Sequence, residues 1–399
     1  MTNGAVDGRG NSDVRRHNLS LVLRLVHQSS GVPRSQLTRS TGLNRSTIAA
    51  LVGELVEREL IVEAEPDASN QVGRPSPLAL PGPRALAFAV NPEIDAITVG
   101  AVGFGATVLR RIRRPIPSSP SVAEAVAVTA EIVAELRREF DDGHTVLGIG
   151  AAIPGLVRAR DGVVRLAPHL HWIDEPFAAQ LEEATGLPVF AANDAHLGTR
   201  AESIFGAGRG VVDLIYLHGG ASGIGGGIIS GGRALTGVEG YAGEFGHTVV
   251  STTGEHCHCG AVGCLETEVR RDRLVALTGL TNLDPDELEA VLLAGNSAEI
   301  RTEVLRQIDF LAVALRNAVN ILNPTTIVLG GFLGLLYAIA PEQLGTLLAS
   351  QPLGASAEGV TVVRSALGVN RLMIGAAELV FESVLEDPSS FVIGARSTL

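Results

Sequence analysis

At 399 residues the chain is too long for one small core and long enough for two or three domains. Apolar residues make up 46% and aromatics 4%, which excludes fibrous and disordered classes and fits alternating strands and helices. The net charge is −12, yet residues 1–53 hold seven arginines against two aspartates, and no lysine occurs anywhere, which excludes any mechanism that needs a catalytic lysine.

The N-terminus is polar, without a basic stretch leading into an apolar one, so no signal peptide is expected. From Val14 to Ser29, the residues Leu19, Val22, Leu23 and Val26 recur at i, i+3, i+4, i+7 and predict a helix with one buried face. Pro33 then opens a second, short helix carrying Leu37, which ends at Thr41-Gly42. Asn44 is an N-cap for a third helix. Its stripe Ile48, Leu51, Val52, Leu55 and Val56 leaves Arg45, Ser46, Thr47 and Ala50 toward the exposed N-terminal end. That is how a recognition helix presents its first turn to the major groove. Arg45 is the leading DNA contact, with Arg34, Asn44, Ser46 and Thr47 beside it. "LIVEAE", a polar loop and "LAL" read as a β-hairpin wing, and Arg74 near its tip suits a narrow minor groove. The plain alternatives are a three-helix module without DNA and, for Arg74, a solvated loop charge.

Pro81-Gly82-Pro83 is a linker, so the expected domains are 1–82, 83–190 and 191–399, with the C-terminal end free to pack back on the first lobe. Strands "ALAFAV" and "AITVGAV", a helix from Ser121 to Phe140 and "TVLGIGAAIPG" form one α/β round. "RRIRRP", from Arg110 to Pro115, is a solvated hairpin strand. A second round follows with "PVFAAND", a helix from Ala195 to Phe205, "DLIYLH" and "GIGGGIIS", then "TTIVLGG" after a long helix. Two such halves imply a cleft between lobes. The apolar run from Thr326 to Ala340 is too short and glycine-broken for a membrane span and reads as strand, turn and helix. From Leu385 onward no motif is legible.

The three cysteines lie together in "GHTVVSTTGEHCHCGAVGCLE"; their odd number and Cys-x-Cys spacing point to thiolates in a reducing compartment, the cytoplasm, and away from a disulfide framework. His247, Cys257, Cys259 and Cys264 offer one imidazole and three thiolates, the complement of a tetrahedral Zn²⁺ site, with buried reduced thiols as the plain alternative. His256 and His258 flank cysteines and are expected to point away.

In chain order, "AAIPGLV", "LAPHLHW", "NDAHLG", "ASGIGGGI", "GEFGH", "CHCGAVGCLE" and "NPTTIVLGG" resemble the ROK family of repressors, open reading frames and sugar kinases. The resemblance covers nearly the whole chain. It implies an α/β fold: a winged helix-turn-helix followed by a two-lobed, actin-like ATPase or ribonuclease H-like sugar-kinase fold. It also implies structural Zn²⁺ on His247, Cys257, Cys259 and Cys264, and sugar hydroxyl contacts from Asn193, Asp194, Glu244, His247 and Glu266. A helix cap is the plain alternative for Asn193-Asp194. His169 stands where many relatives carry asparagine.

In the family's kinases Asp194 would match the base that activates a sugar hydroxyl. Their first-strand Asp-x-Gly-Gly-Thr motif, however, is here "FAVNPEIDAITVG", with proline in place of the glycine pair, and ATP phosphate binding is expected to be lost. The expected protein is thus a non-catalytic, sugar-responsive repressor of carbohydrate genes, a homodimer or tetramer on operator DNA without membrane insertion. The alternative is an ATP-dependent sugar kinase carrying a DNA-binding segment, and control by a protein partner is a third possibility.

Overall fold

The structure, a computed structural model, describes residues 7–65, 77–141, 143–220, 222–280, 285–295, 297–350 and 353–391. The predicted stripe of the first helix is buried: Leu19, Val22, Leu23 and Val26 keep 1% exposure or less. They anchor α1 (Asp7–His27), which starts ahead of the expected Val14 in a polar stretch without apolar periodicity. Val32–Pro33 is a short strand, β1, so Pro33 precedes the second helix as its N-cap. α2 (Arg34–Thr41) ends at Gly42, where φ of 72° is a conformation that glycine adopts without strain. In α3 (Arg45–Glu57) the residues Ile48, Leu51, Val52 and Leu55 are buried, whereas Val56 is half-buried. β2 (Ile61–Ala64) and β3 (Leu78–Pro81) pair antiparallel, and β1 joins β3, completing a winged helix-turn-helix. The wing's loop, 66–76, and with it Arg74, lies outside the described residues.

The chain divides into two compact units, one of Met1–Ala152, Leu170–Ala191 and Ala376–Leu399, the other of Ile153–His169 and Ala192–Gly375. The first unit continues with β4 (Ala85–Pro92), β5 (Ala96–Gly103), β6 (Thr107–Pro115), α4 (Val122–Glu139) and β7 (Thr145–Ile153). β8 (Leu156–Val157) and β9 (Val164–Ala167) fall in the second; β10 (Trp172–Glu175), α5 (Phe177–Thr185) and the start of β11 (Val189–Asn193) fall in the first. Its sheet is ordered β11-β7-β4-β5-β6, with an antiparallel β4–β5–β6 meander and β7 parallel to β4. On β6 the arginines pair with acidic neighbours, Arg113 with Asp95 at 2.9 Å and Arg114 with Glu131 at 2.8 Å, as a solvated strand face would.

The second unit contains α6 (Asp194–Ile204), β12 (Leu214–Gly219), β13 (Ile224–Ser230), β14 (Arg233–Ala234), α7 (Leu265–Glu268), α8 (Arg271–Thr278), α9 (Pro285–Ala294) and α10 (Ala298–Leu322). There follow β15 (Thr326–Gly331), α11 (Phe332–Ile339), α12 (Pro341–Ser350), α13 (Gly354–Ala357), β16 (Thr361–Arg364) and α14 (Arg371–Glu386), the last continuing into the first unit from Ala376. The second sheet runs β14-β13-β12-β15-β16. Numbered within each sheet, both orders are 3-2-1-4-5, a duplicated α/β plan. The run from Thr326 to Ala340 is strand, glycine turn and helix, with Ile327, Leu329, Leu333 and Leu336 fully buried. Among the described residues no single helix is long and apolar enough to cross a membrane.

Within the first unit α14 and the stretch after it, where the sequence from Leu385 onward shows no motif, pack on α1. His27 Nδ1 accepts from the Gly105 N–H at 3.1 Å, which leaves the ring proton on Nε2 to be donated to Glu378 Oε1 at 2.8 Å. Both side chains are at most 2% exposed, and the imidazole also packs edge-on against Phe104 and Phe381. Around this buried pair Arg24 meets Glu382 at 2.7 Å, Ser20 donates to the Leu385 carbonyl, and Arg58 donates to those of Ser389 and Phe391.

Candidate functional site

The β4–β5 turn occupies the place of the phosphate-binding glycine pair of the family's kinases. Pro92 is paired with Ile97, and the Glu93 N–H donates to the Ala96 carbonyl at 2.8 Å, closing the turn. Glu93 Oε2 accepts from Thr98 Oγ1 at 3.3 Å, and Arg113 bridges Glu93 and Asp95. Burial holds the Glu93 carboxyl above its ordinary range, opposed by Arg113. With the Glu93 N–H spent internally and carboxylates at 93 and 95, this turn differs from a glycine-rich loop that presents its N–H groups to a phosphate.

In the second unit Asn193 and Asp194 stand at the start of α6. Asn193 Oδ1 accepts from the His196 N–H at 3.0 Å as N-cap, and its Nδ2 donates to the Gly155 carbonyl at 2.9 Å. Its cap role therefore fixes the amide's direction. Asp194 Oδ1 accepts from the Ala195 N–H at 2.8 Å. His196, whose pKa burial lowers, stays neutral and donates Nε2–H to the Ala242 carbonyl, tying α6 to the loop that bears Glu244. The Glu244 carboxyl is raised first by burial, then by Asp194 and Glu266, so these three carboxylates share one neighbourhood. Gly223, at φ 139°, leaves room there: a Cβ would stand 2.6 Å from Glu266 Oε2.

Next to Glu266 lies the cysteine loop. Bridges Val249–Cys264 and His256–Val262 fold it back on itself, and Gly263 makes the tightest corner, at φ 72°, where a Cβ would lie 1.9 Å from the Ser251 carbonyl oxygen. Buried Glu268 accepts from the Glu255 N–H at 2.9 Å. This frame brings Cys259 Sγ within 3.6 Å of Cys264 Sγ and Cys257 Sγ within 3.5 Å of His247 Nδ1. All four donor atoms lie within 4.8 Å of one another and could hold a metal ion, while the thiols are free. Burial pushes the Cys257 and Cys264 thiols up, and the Ala261 N–H draws Cys259 down. A central cation would favour all three thiolates.

His256 is exposed on the loop's outer bridge, as expected, but His258 is not turned away. Its Nδ1 lies 3.3 Å from Glu266 Oε1, and its ring packs edge-to-face on His247 and His169, at centroid distances of 5.1 and 5.9 Å. Its flanking cysteines point to the opposite direction, and nothing near it in the sequence marks His169 as its neighbour. The structure thus brings Asp194, Glu244, His247 and Glu266 together and adds His258.

On the winged helix, Asn44 Oδ1 caps α3 through the Thr47 N–H at 2.8 Å and also accepts from Ser46 Oγ at 2.7 Å. Arg45, Ser46 and Ala50 are exposed and Thr47 is half-buried. Arg45 makes no ion pair among the described residues. Arg34 holds Glu63 bidentately, both contacts at 2.6 Å, so it meets a carboxylate on β2.

Comparison with known proteins adds five findings. The family model described as "ROK family" matches residues 94–383. The chain is 28% identical over 402 residues to the N-acetylglucosamine repressor of Escherichia coli O157:H7, covering 96% of this chain and 97% of that protein. It is 24% identical over 380 residues to the xylose repressor of Bacillus subtilis strain 168, covering 94% and 97%. Among solved structures, a ROK family transcriptional regulator, a homologue of the E. coli MLC protein, superposes with a TM-score of 0.75 at 24% identity and covers 94% of this chain and 97% of its own. A ROK hexokinase from Thermus thermophilus gives a TM-score of 0.59 at 30% identity, covering 75% of this chain and 99% of its own.

Proposed function

The chain belongs to the ROK family, and from that premise we propose that it is a sugar-responsive DNA-binding regulator, a repressor of carbohydrate uptake or catabolism genes, and not an enzyme. One observation carries this: the two repressors match from end to end, whereas the hexokinase leaves a quarter of the chain uncovered. The closed, acidic β4–β5 turn supports the same conclusion from chemistry.

Residues 1–82 form the DNA-binding domain. Arg45 at the exposed start of α3 reads a base edge, Ser46 and Thr47 reach phosphates or bases, and Asn44 sets the helix's entry. Arg34 exchanges Glu63 for a phosphate, and Arg74 serves the wing. Two copies in a homodimer, or four in a tetramer, address inverted half-sites in the cytoplasm.

The lobes 83–190 and 191–399 sense the ligand. Asn193, Asp194, Glu244, His247 and Glu266 hold sugar hydroxyls, Asp194 as an acceptor. Carboxylates and amides suit this because each hydroxyl needs a donor and an acceptor in fixed directions. Zn²⁺ fits His247, Cys257, Cys259 and Cys264: a tetrahedron of zinc–ligand bonds has edges of about 3.8 Å between sulfurs and about 3.5 Å from sulfur to nitrogen, beside the observed 3.6 and 3.5 Å. Four protein ligands make such an ion structural, a crosslink that holds Glu266 and His247 in place.

The test titrates purified protein onto DNA from upstream of its own gene at fixed salt, with and without xylose, glucose and N-acetylglucosamine. Operator affinity should change at least about tenfold with one sugar. Affinity indifferent to every sugar would sink the sensor. Transfer of phosphate from ATP to a hexose, abolished by Asp194→Asn, would replace the regulator with a kinase.

A further inference from the structure

Resting on the sugar pocket just described, we propose that His258, with His169 beside it, selects among neutral sugars: it is the contact by which this chain prefers one sugar over another. The direction of its ring is built into the loop. Its backbone lies between Cys257 and Cys259, whose sulfurs converge on one cluster, so the intervening side chain is held wherever that cluster holds the loop. It projects toward Glu266, with Nδ1 3.3 Å from Oε1, and its ring stands at 81° to His247 and at 74° to His169.

What the ligand meets is therefore predictable. Nδ1 is engaged by Glu266, which leaves Nε2 and the ring face; the side chain is 42% exposed, and His169 is exposed as well. An imidazole edge either donates to or accepts from a hydroxyl, and its flat face packs against C–H groups, the two surfaces a sugar ring alternates. Glu266 anchors one hydroxyl, and the substituent next to it lies over the imidazoles, where its size and hydrogen-bonding pattern are read. Charge defines the ligand class. Glu266 Oε1 stands 3.3 Å from His258 Nδ1 and 3.5 Å from His247 Nδ1, so a phosphorylated or carboxylated sugar held beside His258 would place like charge next to that carboxylate.

The experiment measures calorimetric affinities of the full-length, metal-containing protein for D-xylose, D-glucose, N-acetyl-D-glucosamine and the 6-phosphates of the latter two. It is repeated with His258→Ala, His258→Asn and His169→Asn, and metal per chain is determined by mass spectrometry. The preferred neutral sugar should lose about tenfold or more in His258→Ala while the others move less than about threefold, at constant metal content. Rank order should shift again in His169→Asn. An unchanged order in all three variants, with metal retained, overturns the inference while leaving the sugar sensor standing. So does a 6-phosphate that binds more tightly than its parent sugar. Equal loss of every sugar together with the metal in both His258 variants assigns the residue to the metal cluster and overturns it too. A wild-type protein that binds none of these ligands removes the pocket itself, and this inference with it.

Discussion

The recognition helix and the cysteine loop both present polar side chains, but they are held by different forces. α3 hangs on Ile48, Leu51, Val52 and Leu55, all at most 1% exposed, and its outward residues take almost no part in that anchorage. The loop from Phe245 to Glu268 buries few apolar side chains; it is shaped by two isolated bridges, a glycine corner at Gly263, the Glu268 carboxylate and the four donor atoms themselves. Where apolar packing carries the fold, the functional face is free to vary. Where the functional atoms carry the fold, changing one changes the shape of the site.

That contrast can be broken experimentally. The largest effect is expected from Cys264→Ser. A structural zinc site in a small domain is worth roughly 10–16 kcal/mol of folding free energy, so this variant should lose metal by mass spectrometry, unfold the loop and abolish the sugar response. If it kept a normal response without metal, the loop would owe its shape to packing after all. Leu51→Ala comes next, at about 2–5 kcal/mol in urea unfolding of the winged helix, because a fully buried side chain is removed and a cavity left. Smallest is Arg45→Ala, for which operator affinity should fall by about 1–3 kcal/mol with an unchanged melting temperature. A drop in melting temperature there would mean that α3's exposed face is structural, and the comparison would fail.

Much of the first of these regions was legible in the sequence. The 3.6-residue spacing of Leu19, Val22, Leu23 and Val26, the cap at Asn44 and the glycine at 42 are local signals, and each has its expected place. Only the edges moved: α1 begins at Asp7 because a polar helical turn has no apolar period, and Pro33 caps α2 from a short strand. The cysteine cluster was equally local. What escaped are contacts between distant residues. Arg34 finds Glu63 across the winged helix, His258 reaches Glu266 and packs on His247 and His169, and the motifless end of the chain settles on α1. Spacing along the chain carries no record of such pairings, since each depends on where another segment's backbone runs.

The pairing of His27 with Glu378 has a consequence for how the protein is made. The partners are separated by 351 residues. At translation rates of about 5–20 residues per second, the first helix leaves the ribosome about 20–70 s before its carboxylate is synthesised. Throughout that interval the face of α1 that bears His27 must do without its final cover, and a nascent chain has a DNA-binding segment whose last packing surface does not yet exist. Chains that terminate early, before Glu378, would carry a recognition helix on an unfinished support. Tying α1 to α14 thus makes synthesis through Glu378 a condition for a fully packed DNA-binding end.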